Sequence, residues 1–154
     1  MIARNHLTVT AAIRTCNRPA FLHQALESVY KQTRKVDELI VIDDSSDEEM
    51  VRQNQRLCRE TKVNYIRPKK RLIKGGKTLN ACIKSFNMDC IAFLDDDDFW
   101  HPEKIEKQME ILEYNKNVHM ITCSQNNVIL NGVGKELISV TTRNKIPNYQ
   151  KMLH

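Results

Sequence analysis

The chain has 154 residues, 41% of them hydrophobic and 28% charged, and carries a net charge of +5. That is enough for one domain with a buried core and an ordinary globular composition, and 1–154 is read as a single domain. No apolar run approaches the roughly 18 residues needed to span a membrane, the opening MIARNHLTVTAAIRT has no signal-peptide core or cleavage site, and the expected place is the cytoplasm.

The elements alternate. Leu7 to Ile13 reads as a strand, and Leu22, Ala25, Leu26 and Val29 then mark one face of a helix. ELIVID, 38–43, is a second buried strand, followed by a weaker helix from about Asp47 to Glu60. VNYIR, 63–67, is a short third strand, and Leu79, Cys82, Ile83 and Phe86 mark another helix. Ile91 to Leu94 is an apolar run of the kind covered on both faces. Pro102 then opens a helix over about 103–114, with Ile105, Met109 and Leu112 at helical spacing. HMITCS, 119–124, is expected to be a strand, and NVILNGVGKELISV, 127–140, a hairpin turning at Asn131 to Gly134. Strands alternating with helices predict an α/β fold with a mostly parallel sheet.

The five cysteines are scattered, without a C-x-x-C pair, which disfavours a disulfide framework or a zinc site. Cys82, Cys90 and Cys123 read as small buried residues.

The strand ends carry the chemistry. The first strand runs into RTCNRP, 14–19, the second into DDSSDEE, 43–49, and the fourth into Asp95, Asp96, Asp97 and Asp98. In a parallel sheet these segments share the carboxyl edge, where open α/β sheets bind ligands. One acidic turn is cheaply explained as charge favouring the next helix's amino end. Acidic runs at two strand ends, with a basic segment between them in the chain, point instead to a nucleotide-diphosphate site. Carboxylates are hard ligands suited to Mg²⁺ or Mn²⁺, the ion neutralises the diphosphate, and further carboxylates accept hydrogen bonds from ribose or a base N–H.

The basic segment RPKKRLIKGGK, 67–77, holds six Lys or Arg. It suits an anionic ligand or a peripheral contact with the inner face of a membrane, or it is a solvated loop. No aromatic residue is interleaved there, so nucleic acid is not expected as a partner. GGKT, 75–78, lacks the earlier glycine of a phosphate loop, because Arg71 stands there. DDSSDEE lacks the central glycine of a calcium loop. His101, beside the acids, suits either a phosphate contact or the start of the helix.

The blocks TVTAAIRTCNRPAFLHQALESVYKQT, ELIVIDDSSDEE, TLNACIK and CIAFLDDDDFWHPEKIEKQMEIL, in this order and spacing, resemble the nucleotide-sugar-binding part of family 2 inverting glycosyltransferases, which have the GT-A fold. The likeness runs from about Thr8 to Lys151. It implies that Thr15, Cys16 and Asn17, with Arg18 beside them, line the nucleotide base, that Asp44 contacts the base, and that Asn80 faces the donor. It places the D-x-D motif on Asp95, Asp96 and Asp97, with Asp97 a direct metal ligand and Asp95 or Asp96 serving ribose and metal-bound water. Asp98 is an outer neighbour of the ion. The implied cofactor is Mn²⁺ or Mg²⁺, and the implied partners are a nucleotide-diphosphate sugar, with UDP favoured, and a saccharide or lipid-linked acceptor for polysaccharide or glycoconjugate synthesis.

The chain departs from the pattern at Leu79, where family members commonly carry a phosphate-contacting Arg; Lys74 or Lys77 is the substitute. The family's general base and acceptor-binding segments lie well beyond the D-x-D motif. None of Asp89, Glu103 or Glu136 stands in the base's place, so no catalytic base is assigned. The expectation is a truncated donor domain. Its rivals are a catalytically inactive nucleotide-sugar-binding module or a fragment needing a partner chain, and a nucleotidyltransferase of similar fold, which RTCNRP disfavours because it contains no glycine.

Overall fold

A computed structural model of the chain describes residues 6–68 and 86–123, together with the strand backbones of 125–130 and 137–143. The chain divides into two compact units, 1–117 and 118–154.

The first unit is built on a parallel sheet. Its strands are β1 (Val9–Thr15), β2 (Glu38–Asp43), β3 (Asn64–Ile66) and β4 (Cys90–Asp95), in the spatial order β3-β2-β1-β4. The helices are α1 (Pro19–Tyr30), α2 (Glu48–Glu60) and α3 (Lys104–Tyr114). After β1 the chain steps to β2 and β3 on one side, and β4 then returns to the other side of β1. This reversal makes the carboxyl end of β1 and β4 the switch point where a ligand crevice is expected.

The helices form where the apolar spacing puts them. Leu22, Ala25, Leu26 and Val29 of α1 are all buried, as are Ile105 and Met109 of α3. Pro19 occupies the first turn of α1, where its missing N–H costs nothing. The α2 sequence is mostly polar and buries only Val51, Asn54 and Cys58; it is fixed at its start by Asp47, whose carboxylate accepts from the Glu49 and Met50 N–H groups. One core joins Val9, Ala11, Ile13, Val41 and Leu94 to these helices and to Trp100. A second, on Ala12, Ile40 and Ile42, packs with Ile66, Phe86 and Ile91. β1 is therefore buried on both faces, as its apolar run requires.

The loop after the acid run is held firmly. The Gln32 side chain, 1% exposed, donates to the Ser28 and His101 carbonyls and accepts from the Ile105 N–H. The Trp100 N–H donates to Ser28 Oγ. His101 thus serves the start of α3: its carbonyl accepts from Lys104 N and its ring stands beside Glu103.

Several boundaries differ from the sequence reading. β1 extends through Arg14 and Thr15, because each has a strand partner there: Arg14 opposite Asp95 and Ile42, Thr15 opposite Asp43. Residues 119–123, expected as a strand, form none, and Met120 is largely exposed. Cys123 is exposed and Cys90 half-buried, not buried as their apolar neighbours suggested. The helix expected at 79–86 and Cys82 fall almost wholly outside the described residues.

In the second unit, β5 (Gln125–Leu130) pairs antiparallel with β6 (Leu137–Arg143), Val128 opposite Val140. This is the expected hairpin, begun two residues earlier; its turn lies outside the described residues. Among the described residues no helix is long and apolar enough to cross a membrane.

Candidate functional site

The site is formed by the segments that leave β1, β2 and β4 at the carboxyl edge. The acids of the β4 end are not equivalent. Side chains alternate along a strand, and Leu94 faces the core. Two residues on, Asp96 follows Leu94 inward and its side chain is fully buried, while those of Asp95 and Asp97 are each 50% exposed. The turn is closed by the Asp98 N–H donating to the Asp95 carbonyl at 3.1 Å and the Asp96 N–H to the Arg14 carbonyl at 3.1 Å.

Cations from β1 and its loop answer these carboxylates. Arg14 pairs with Asp95 at 2.8 Å across neighbouring strands. Arg18, just before α1, places Nη1 2.8 Å from Asp97 Oδ2 and Nε 3.2 Å from Asp96 Oδ2. Its Nη2 stands within ion-pair distance of Asp96 Oδ1, which makes no hydrogen bond. Asp96 Oδ2 also accepts from the Thr15 hydroxyl at 2.7 Å. Burial nevertheless outweighs these partners and pushes the Asp96 carboxyl above its ordinary range. Asp98 is raised too, by burial first and then by repulsion from Asp97, Asp95 and Asp96; among the described residues it has no ion-pair partner.

The β1 and β2 loops are stitched together. The Asp44 N–H donates to the Thr15 carbonyl at 3.0 Å, and Cys16 Sγ to the Asp44 carbonyl at 3.4 Å. Asn17, at φ 56°, donates its N–H to Ser45 Oγ and its Nδ2 to Ser46 Oγ, and its Oδ1 accepts from the Ser46 and Asp47 N–H groups. Beneath them Asp43, 0% exposed, accepts from Ser45 N, Asn54 Nδ2 and the Tyr65 hydroxyl.

Thr15, Cys16, Asn17, Arg18, Asp44, Asp95, Asp96 and Asp97 therefore gather at one edge. Asn80, Lys74 and Lys77 lie outside the described residues. Sequence reading passed over Arg14, Asp43, Ser45, Asn54 and Tyr65. Strand alternation carries the signal for Asp43, which shares parity with core-facing Val41.

The donor chemistry suits a hard divalent ion. Asp95 and Asp97 offer accessible carboxylate oxygens, and Asp98 experiences the unbalanced negative charge that an ion would relieve. Among the described residues no three Asp, Glu, His or Cys side chains converge into a closed cage. Mg²⁺ is usually bound by one or two carboxylates and completed by phosphate oxygens and water.

Comparison with known proteins agrees with this architecture. An uncharacterised glycosyltransferase of Rickettsia felis is 31% identical over 132 residues, covering 86% of this chain and 21% of its own. The chain spans between about a fifth and a third of the length of the first curated relatives it matches. Among solved structures, Staphylococcus aureus TarS in complex with UDP-GlcNAc superposes with a TM-score of 0.58 at 21% identity, over 69% of this chain and 31% of that one. The mannosyltransferase PcManGT of Pyrobaculum calidifontis, in complex with GDP-Man and Mn²⁺, gives 0.58 at 18% identity, over 71% and 32%. The fold is that of the GT-A glycosyltransferases. The family model for glycosyl transferase family 2 matches residues 10–152, and the chain belongs to that family.

Proposed function

We propose that this chain is the donor-binding part of an inverting glycosyltransferase, taking a nucleotide-diphosphate sugar, with a UDP-sugar favoured. The observation that carries the reading is the convergence of the Thr15–Arg18 loop, Asp44 and the Asp95–Asp98 turn at the switch point of one parallel sheet. Relatives of the same fold whose structures contain UDP-GlcNAc, or GDP-Man with Mn²⁺, support it.

The Thr15–Cys16 segment and Asp44 flank the crevice for the nucleoside, with Asp44 accepting from the base. Asp97 and Asp95 hold Mn²⁺ or Mg²⁺, with Asp98 beside them. When bound, the ion supplies charge stabilisation to the diphosphate leaving group. Buried Asp96 serves the site from beneath, orienting Thr15 and Arg18. The acceptor, a saccharide or lipid-linked chain, must lose a hydroxyl proton to a base as it attacks; no residue of this chain is assigned that role. The setting is polysaccharide or glycoconjugate synthesis at the cytoplasmic side, with the basic segment available for peripheral membrane contact.

Calorimetric titration of UDP, GDP and CDP, with and without Mn²⁺, tests the reading. Metal-dependent binding of one nucleotide, weakened at least tenfold in Asp97→Ala, is expected. A folded protein that binds none of them refutes it.

A further inference from the structure

Asn17 holds a left-handed backbone at φ 56°, a conformation that costs a non-glycine residue about 1 kcal/mol or more and that Asn tolerates best because its side chain can bond locally. Here that side chain bonds to the neighbouring loop. Oδ1 accepts from the Ser46 N–H at 3.0 Å and the Asp47 N–H at 3.1 Å, and Nδ2 donates to Ser46 Oγ at 3.1 Å. The Asn17 N–H donates to Ser45 Oγ at 2.7 Å. Every polar atom of the side chain is thereby committed to the β2–α2 loop.

The receiving side is rigid. Ser45 is 5% exposed, its N–H donates to Asp43 Oδ1 at 2.8 Å, and its Oγ lies 3.4 Å from Asn54 Nδ2. Asn54 and Tyr65 both donate to Asp43 Oδ2, at 2.9 and 2.7 Å. Asp47 is fixed as the cap of α2. The clasp thus ties one side of the crevice, the loop Thr15–Arg18, to a buried hydrogen-bond network below β2, and the Asp44 N–H to Thr15 carbonyl bond lies within the same stitch.

We propose that Asn17 is a positioning residue for the nucleotide: it holds the Thr15–Cys16 segment and Asp44 at their working separation before any ligand arrives, and does not contact the ligand itself. The inference rests on the nucleotide reading of this site. It separates two functions along the crevice. The nucleoside end is set by Asn17 and is independent of metal; the diphosphate end depends on the carboxylates of the β4 turn. Loss of the clasp obliges the ligand to order a loop on binding, which weakens affinity about tenfold, equally with and without metal.

Two variants discriminate. Asn17→Gly keeps the left-handed backbone and deletes the side chain, while Asn17→Asp keeps the oxygen that accepts from Ser46 and Asp47, next to the amino end of α2 where negative charge is favoured. The experiment is calorimetric titration of the preferred nucleoside diphosphate, with and without Mn²⁺, together with amide hydrogen exchange in the ligand-free proteins. Expected are Ser46 and Asp47 amides protected in the wild type and freed in Asn17→Gly, an affinity about tenfold weaker in Asn17→Gly with the Mn²⁺-to-metal-free ratio unchanged, and recovery to within about threefold in Asn17→Asp. Wild-type binding with an unaltered Asn17→Gly affinity overturns the role of Asn17 alone, as does a changed metal ratio. Failure of the wild type to bind any nucleotide overturns both this role and the donor-site reading.

Discussion

Replacing Asp96 by Ala removes a carboxylate that is fully buried and shared between Thr15 and Arg18. The Thr15 hydroxyl, on a residue 1% exposed, loses its acceptor at 2.7 Å, and a buried donor left unpaired costs about 1–3 kcal/mol. Breaking a fully buried ion pair costs about 3–5 kcal/mol, but the Arg18 side chain is 42% exposed and regains water, so its share is small. Part of the loss is returned, because burial already penalises the charged Asp96 carboxylate, whose pKa is raised. The net expectation at neutral pH is about 1–2 kcal/mol, a fall in Tm of roughly 2–8 °C for a chain of this size. The sign with pH follows from the raised value. The native state holds the Asp96 proton more tightly than the unfolded chain, so the wild type loses stability on this account as pH rises from the unfolded carboxyl value of about 3.9 through the folded one. The deficit of Asp96→Ala is therefore larger near pH 4 than at pH 7. Urea unfolding of both proteins at the two pH values measures this. A deficit above about 4 kcal/mol at pH 7, or one that grows as pH rises from 4 to 7, refutes the reasoning.

Asp98→Asn removes a carboxyl whose pKa is raised by burial and by its acidic neighbours, so stability at pH 7 is expected to be equal to or above wild type, with the gain vanishing below pH 4; destabilisation at pH 7 in urea unfolding would contradict this. Glu113 accepts from Arg34 Nη2 and from the Leu7 N–H, both at 2.9 Å, tying α3 to the start of β1, and its pKa is lowered first by the Arg34 hydrogen bond. Glu113→Gln should cost about 1–2 kcal/mol at pH 7, and because a lowered carboxylate stabilises only above its unfolded value of about 4.3, the difference should close as pH falls through the folded value. Cys58, 1% exposed, has its thiol pushed up to about 12 by burial and then by Asp43; a maleimide at pH 7.5 should modify Cys123 within minutes and leave Cys58 untouched until the protein is unfolded.

The alternation of strand and helix was readable because the apolar runs are long and the helical spacing regular: Leu22, Ala25, Leu26 and Val29 are buried as their period requires. What escaped is decided by pairing between distant segments. Arg14 and Thr15 look like loop residues in a linear reading, yet β2 and β4 flank them and continue the ladder. HMITC is apolar enough for a strand, but apolarity does not supply a partner. The site was legible in outline, since three strand ends of one parallel sheet must meet at one edge. Its internal division was hidden by composition, because four identical aspartates look interchangeable. The period-two rule separates them: Asp96 follows Leu94 inward and becomes a support for Thr15 and Arg18, whereas Asp95 and Asp97 face out. The family resemblance implies that Asn17 lines the nucleotide base, whereas its hydrogen bonds to the Ser46 and Asp47 N–H groups depend on the fold and are not legible in the sequence.

We propose that the β4 turn takes up a divalent ion in company with a nucleoside diphosphate, because Arg14 and Arg18 already engage Asp95 and Asp97. Paramagnetic resonance of Mn²⁺ titrated into the protein, with and without the nucleoside diphosphate, tests it most directly. Free Mn²⁺ signal should persist with protein alone, about one equivalent should be lost when protein and nucleotide are both present, and Asp97→Ala should abolish this loss. Equal Mn²⁺ uptake without nucleotide, or undiminished uptake by Asp97→Ala, would contradict it.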